Sequence, residues 1–178
     1  ASTTFKLLLS RDGGATWLNV SPEKEAQSWY APACSQSGQY VMTANADKIN
    51  YVSYDFGQTW VISNIGNFWT STAISINGTN QVATALYDVH ISSDSGDTWQ
   101  IAPISSILKS GEQLVSACVS ADGESITIGS GRLAATGQVL LSKDGGESWE
   151  KASALPATTA WEALTCSADG QMIAACQG

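Results

Sequence analysis

The sequence predicts an all-β chain, a β-propeller of four four-stranded antiparallel blades, one of them completed by the N- and C-terminal halves of the chain. Three observations predict it. A segment of the form Ser-x-Asp-x-Gly-x-[Thr/Ser]-Trp recurs four times at near-regular spacing. A second turn, of the Ser-x-[Asp/Asn/Ser]-Gly kind, alternates with it. Short apolar stretches with strand periodicity lead into and out of both turns.

The first segment occurs as Ser10–Trp17, Ser53–Trp60, Ser92–Trp99 and Ser142–Trp149, with first residues 43, 39 and 50 positions apart. Its composition suits a chain reversal between two strands. The carboxylates of Asp12, Asp55, Asp94 and Asp144 can accept hydrogen bonds from backbone N–H groups a few residues on, and the glycine can supply a positive φ without a Cβ clash. Trp17, Trp60, Trp99 and Trp149 then start the next strand and can bury a large ring.

The second turn occurs as Ser35–Gly38, Ser75–Gly78, Ser120–Gly123 and Ser167–Gly170. Six residues before each of its serines stand Trp29, Trp69, Leu114 and Trp161. A repeat therefore reads as strand A, tight turn, strand B, loop, strand C, Asp-containing turn, strand D. Four antiparallel strands in about 40–50 residues is the size of one propeller blade. Complete blades are expected over 29–63, 69–102 and 114–152.

The fourth blade is divided between the chain ends, with 161–177 supplying strands A and B and 5–20 supplying C and D. From turn glycine to the following Ser-x-Asp serine, the intact repeats span 15, 14 and 19 residues, and the count across the two termini is 18. Pairing the ends closes the ring and removes exposed sheet edges. A closed four-bladed monomer is the expected arrangement. Two chains completing each other in an eight-bladed ring, or a piece of a longer array, satisfy the same counts.

Composition agrees with many short strands and excludes several function classes. Apolar residues make up 43% and charged residues 13% of the 178, against about 25% charged in an average domain. Ser, Thr, Gly, Asn and Gln fill the gap, as strands and turns require. The formal net charge is −8, and only eight cationic side chains are present, so no basic footprint for nucleic acid exists. No apolar run approaches the roughly 18 residues of a membrane span, so membrane insertion is not expected. Cys34, Cys118, Cys166 and Cys176 lack metal-ligand spacing. Cys34 and Cys166 share a repeat position with Ile74 and Val119, which reads as buried and apolar, where a thiol packs as a small hydrophobe. Neither a disulfide, a metal nor a cofactor is expected. The start at Ala1 without a signal peptide suggests a processed N-terminus. Asn77-Gly78-Thr79 and Asn19-Val20-Ser21 match the glycosylation acceptor pattern and point toward an extracellular location.

The Ser-x-Asp-x-Gly-x-[Thr/Ser]-Trp repeat resembles the Asp-box (BNR) family, a turn motif shared by sialidases, other glycoside hydrolases, sortilin-type receptors and photosystem II assembly factors. The resemblance covers all four repeats. It implies a propeller whose boxes lie on the outer C–D turns, away from the ligand face, so Asp12, Asp55, Asp94 and Asp144, with Trp17, Trp60, Trp99 and Trp149, are structural. Sialidase-like sites clamp the substrate carboxylate with three arginines. This chain has two, Arg11 and Arg132, with Arg11 inside a box, which disfavours sialidase activity. A glycosidase needs only a suitably spaced acidic pair, for which Asp47, Asp88, Glu112 and Glu162 are the candidates, read more simply as solvated loop residues. His90 is the only histidine and has no nucleophile motif beside it. The boxes offer too few carboxylates for calcium.

What remains is a non-catalytic binding module. Trp29, Trp69 and Trp161 begin the innermost strands, where aromatic rings can stack on sugars or grip a peptide. Tyr30, Glu162 and Arg132 are placed to add polar contacts, so a glycan or a protein is the expected partner. The competing reading of the three tryptophans is packing between blades. A structural or assembly scaffold and a non-sialidase glycoside hydrolase are the alternative functions.

Overall fold

The computed structural model describes residues 5–22, 28–63, 65, 69–109, 111–132, 137–153, 155 and 160–177. Those residues form sixteen strands and no helix. β1 (Leu8–Leu9) and β2 (Leu18–Asn19) make a two-stranded sheet. β3 (Trp29–Cys34), β4 (Val41–Asn45), β5 (Asn50–Ser53) and β6 (Val61–Ser63) make a four-stranded sheet in chain order. A second such sheet holds β7 (Ser71–Ile74), β8 (Gln81–Thr84), β9 (Val89–Ser92) and β10 (Gln100–Ile101), and a third holds β11 (Gln113–Val119), β12 (Ile126–Arg132), β13 (Val139–Ser142) and β14 (Glu150–Lys151). β15 (Trp161–Cys166) and β16 (Ile173–Gln177) form a last two-stranded sheet. All pairing is antiparallel.

The turn chemistry sets the register. In each complete sheet the third residue after the tight-turn glycine pairs with the serine that opens the next box: Val41 with Ser53, Gln81 with Ser92, Ile126 with Ser142. The second strand of each complete sheet is enclosed on both faces, because neighbouring sheets cover it from either side. Polar members of these strands, among them Thr43, Asn45, Gln81 and Thr127, are therefore buried together with the apolar ones.

The core lies between sheets rather than within one. Met42, Ala44, Val52, Trp69 and Ala83 fill the seam between the first and second complete blades. Val82, Val89, Leu114, Ile126, Ile128 and Leu140 are central to the seam between the second and third. Backbone hydrogen bonds cross the seams in series: Gln36 N–H to the Ile76 carbonyl (3.2 Å), Ile76 N–H to Ala121 (3.1 Å), and Ala121 N–H to Ala168 (2.7 Å).

The closure expected through the chain ends is not seen among the described residues. The chain ends do not combine into a single four-stranded blade; β1–β2 and β15–β16 remain separate sheets, and β16 is exposed at all five positions. β15 packs against β11 and β12, while Leu7, Leu9 and Val20 lie against the first complete blade. Joining the ends in one chain requires each seam to turn the stack by a quarter circle. That rotation is set by packing between sheets, which loop lengths do not report.

Candidate functional site

The four boxes share one hydrogen-bond set. The serine hydroxyl donates to the aspartate Oδ1, at 2.9 Å for Ser10, 2.9 Å for Ser53, 2.7 Å for Ser92 and 2.7 Å for Ser142. The same hydroxyl accepts the N–H of Gly14, Gly57, Gly96 or Gly146 at 2.7–2.8 Å. The aspartate then accepts both the backbone N–H and the hydroxyl of Thr16, Thr59, Thr98 or Ser148. Two successive left-handed residues complete the reversal, and in two boxes the first of them is not glycine: Phe56 has φ 63° and Ser95 φ 66°. The donated hydroxyls of Thr16 and Ser148, with the backbone N–H groups, hold the carboxyls of Asp12 and Asp144 down at about 2. Asp55 and Asp94 are lowered for the same reason. Each of these carboxylates accepts at least three hydrogen bonds from its own turn.

At the opposite ends of the strands, three of the four innermost strands bulge just after they begin. The register slips between Tyr30 and Ala33, around Leu114, and between Trp161 and Ala163, and Ala31 takes φ 48°. A bulge re-aims the side chains beside it. Tyr30 is 39% exposed, and Glu162 is exposed directly after buried Trp161.

The tryptophans that begin these strands are packed to different degrees. Trp69 is enclosed, with its ring tilted against Trp99 at 5.6 Å. Trp161 is buried, and its backbone passes so close to Gly131 that a Cβ there would lie 2.5 Å from the Trp161 nitrogen. Trp29 is half-buried, edge-on to Tyr51 at 5.7 Å. Packing between blades therefore accounts for Trp69 and Trp161, which present no ring face to a ligand. Arg132 ends β12 opposite Gln113, and its side chain lies outside the described residues. Asp47 is exposed and Asp88 half-buried, in the loops after β4 and β8.

Two groupings were not visible in the sequence. Glu112 is not a solvated loop residue: it is buried, its Oε2 accepts the Ser130 hydroxyl at 3.1 Å and the Gln138 amide, and its Oε1 lies 3.7 Å from Lys109 Nζ. The cluster ties the loop before β11 to β12 and to the start of β13, and no motif links its members. Second, Cys118 on β11 and Cys166 on β15 neighbour one another across the last seam, and each thiol perturbs the other, Cys118 being pushed up and Cys166 drawn down. Cys34, expected to be buried, is exposed, while Ile74, Val119 and Cys166 at the same repeat position are half-buried. His90 is buried and held below its ordinary value by that burial, with Asp88 opposing. Among the described residues no group of three His, Cys, Asp or Glu side chains is arranged to hold a metal.

No protein-family model matches the chain, and no curated protein sequence matches it. Solved structures do. The GH74 xyloglucanase from Xanthomonas campestris matches over 97% of this chain and 32% of its own, with a TM-score of 0.69 and 15% identity. TolB from Acinetobacter baumannii matches over 96% of this chain and 42% of its own, with a TM-score of 0.68 and 16% identity. YCF48 from Cyanidioschyzon merolae matches over 73% and 38%, with a TM-score of 0.57 and 13% identity. This chain thus spans less than half the length of each of these relatives. At such identities the likeness carries the fold alone: an all-β array of β-propeller-type blades.

Proposed function

We propose that the chain is a non-catalytic binding module of the Asp-box type that contacts a glycan through the face where its inner strands begin. The observation that carries this reading is the recurrent bulge at that face, beside which Tyr30 and Glu162 are exposed next to half-buried Trp29 and buried Trp161. An exposed ring such as Tyr30 stacks on the apolar face of a sugar, and an exposed carboxylate such as Glu162 accepts hydrogen bonds from sugar hydroxyls. A rigid base limits the ordering cost of binding. Catalysis is disfavoured because the four box aspartates are committed to their turns and Glu112 to its buried cluster, which removes five carboxylates from general acid–base chemistry.

The test is a glycan array probed with the parent chain and with Tyr30→Ala and Glu162→Gln. Both variants should keep the parent melting temperature and lose array binding at least tenfold. Unchanged binding by both, to any glycan the parent retains, refutes the reading. An empty array combined with Tyr30-dependent capture of a protein moves the same face to a protein ligand.

A further inference from the structure

The last seam sets the inner strands β11 and β15 side by side, and two clasps fix their spacing. The Ser116 hydroxyl accepts the Leu164 N–H at 3.1 Å and donates to the Leu164 carbonyl at 3.3 Å. Just past the strand ends, the Ala121 N–H donates to the Ala168 carbonyl at 2.7 Å. Between these clasps each strand carries one cysteine, Cys118 two residues after Ser116 and Cys166 two residues after Leu164. A single hydroxyl spans the backbones at one clasp and a direct hydrogen bond at the other, a spacing that suits the roughly 4.4–6.8 Å between Cα atoms of a disulfide.

Both thiols face this seam. Pairing with the second strand of each sheet is regular from Ser116 to Val119 and from Ala163 to Cys166, and residues two apart on a regular strand share a face. Ser116 reaches β15, so Cys118 is directed there too. A Cβ on Gly129 of β12 would lie 2.9 Å from Leu164 Cδ2, so Leu164, and with it Cys166, is directed toward the third complete blade. The mutual perturbation of the two thiols agrees with this placement. Their access differs: Cys118 is buried and Cys166 half-buried. Exposed Cys34 and Cys176 stand opposite Val41 and Ala163, so neither has a thiol as its cross-strand partner.

We propose that Cys118 and Cys166, both free in this structure, are a dithiol site that a low-molecular-weight disulfide oxidises to an intrachain disulfide, stapling the third complete blade to the β15–β16 sheet. The Cys166 thiolate attacks one sulfur of the oxidant, forming a mixed disulfide and expelling one thiolate. Cys118 gives up its proton and attacks the Cys166 sulfur, which expels the second. The two protons lost by the protein end on two molecules of small thiol, so the protein is oxidised by two electrons and the oxidant reduced by two. The new bond closes a loop of about fifty residues, long enough to restrict the unfolded chain strongly.

The test uses a chain carrying Cys34→Ser and Cys176→Ser, both exposed positions, treated with glutathione disulfide in mildly alkaline buffer. Mass spectrometry should show the loss of two hydrogens, no thiol open to alkylation, and a proteolytic fragment joining Cys118 to Cys166. Dithiothreitol should reverse all three. The oxidised chain should melt at least about 5 °C above the same chain reduced, a comparison that involves no substitution at the pair. With Cys118→Ala added, glutathione should accumulate on Cys166; with Cys166→Ala added, the buried Cys118 should stay unmodified. The proposal is overturned if both thiols of the treated chain remain alkylatable, if glutathione persists on Cys166 while Cys118 is present, if the links form between chains, or if the melting temperature fails to rise.

Discussion

Gly145 and Gly146 stand side by side in the fourth box, both left-handed with φ 68° and 97°, and alanine at each separates backbone strain from blade-to-blade contact. At Gly145 a Cβ would meet nothing nearer than the Gly123 carbonyl oxygen at 4.0 Å. Only the left-handed backbone penalises that substitution, by about 1–2 kcal/mol, less about 0.4–1 kcal/mol returned through the stiffer unfolded chain. Gly145→Ala should therefore cost about 1 kcal/mol, or about 2–4 °C in melting temperature for a chain of this size. At Gly146 the same Cβ would lie 2.0 Å from Ile91 Cδ1, across the seam, and 3.6 Å from Ile126 Cδ1. Overpacking adds about 1–3 kcal/mol, so Gly146→Ala should cost about 2–4 kcal/mol in all. Ile91→Val removes the clashing methyl and should cost about 0.5–1.5 kcal/mol by itself. In the Gly146→Ala background it should instead recover about 1 kcal/mol, a coupling expected only of residues in contact. Urea unfolding followed by tryptophan emission measures all four chains. Equal losses for the two glycine variants, or strict additivity with Ile91→Val, would refute the assignment of this glycine to the seam.

Acid should weaken the boxes in a defined window. Asp12 and Asp144 have folded values near 2 against an ordinary 3.8. Because the folded value is depressed, their contribution is complete above about pH 4 and is lost as pH falls through 2. Melting temperature should drop between pH 4 and 2, and Asp144→Asn should lessen the slope; a flat profile over that range contradicts the turn's hydrogen-bond account. Across the last seam, the Ser116 hydroxyl accepts the Leu164 N–H at 3.1 Å and donates to the Leu164 carbonyl at 3.3 Å, all of it buried. Ser116→Ala leaves both backbone groups unpaired and should destabilise by about 1–3 kcal/mol, measured by urea unfolding, whereas a change under about 0.5 kcal/mol would show that the link is not needed.

The box turns were legible because their chemistry is local. Ser10, Asp12, Gly14 and Thr16 satisfy one another within seven residues, so sequence suffices to recognise the reversal and to phase the strands on either side of it. The same spacing recurs in the observed pairing, where Val41, Gln81 and Ile126 meet Ser53, Ser92 and Ser142. The turn's left-handed position at Phe56 and Ser95 was less legible, because nothing in a phenylalanine or serine announces a positive φ. Glu112 was read as a solvated loop residue because Lys109, Ser130 and Gln138 come from different elements.

By itself, then, the sequence determined the repeat, its turns and its strand order. Tertiary structure alone decided which copies of a repeated residue are buried. Trp69 is enclosed and Trp29 half-buried, and Cys34 is exposed where Val119 is half-buried, although each pair shares a repeat position, because only one of the two has a complete blade before it. The same cause separates exposed Trp17 from half-buried Trp149. Burial in a stacked fold is conferred by the neighbouring repeat, and the angle between neighbours is summed over seams whose packing involves residues some forty positions apart. That sum holds the two ends of this chain in separate sheets.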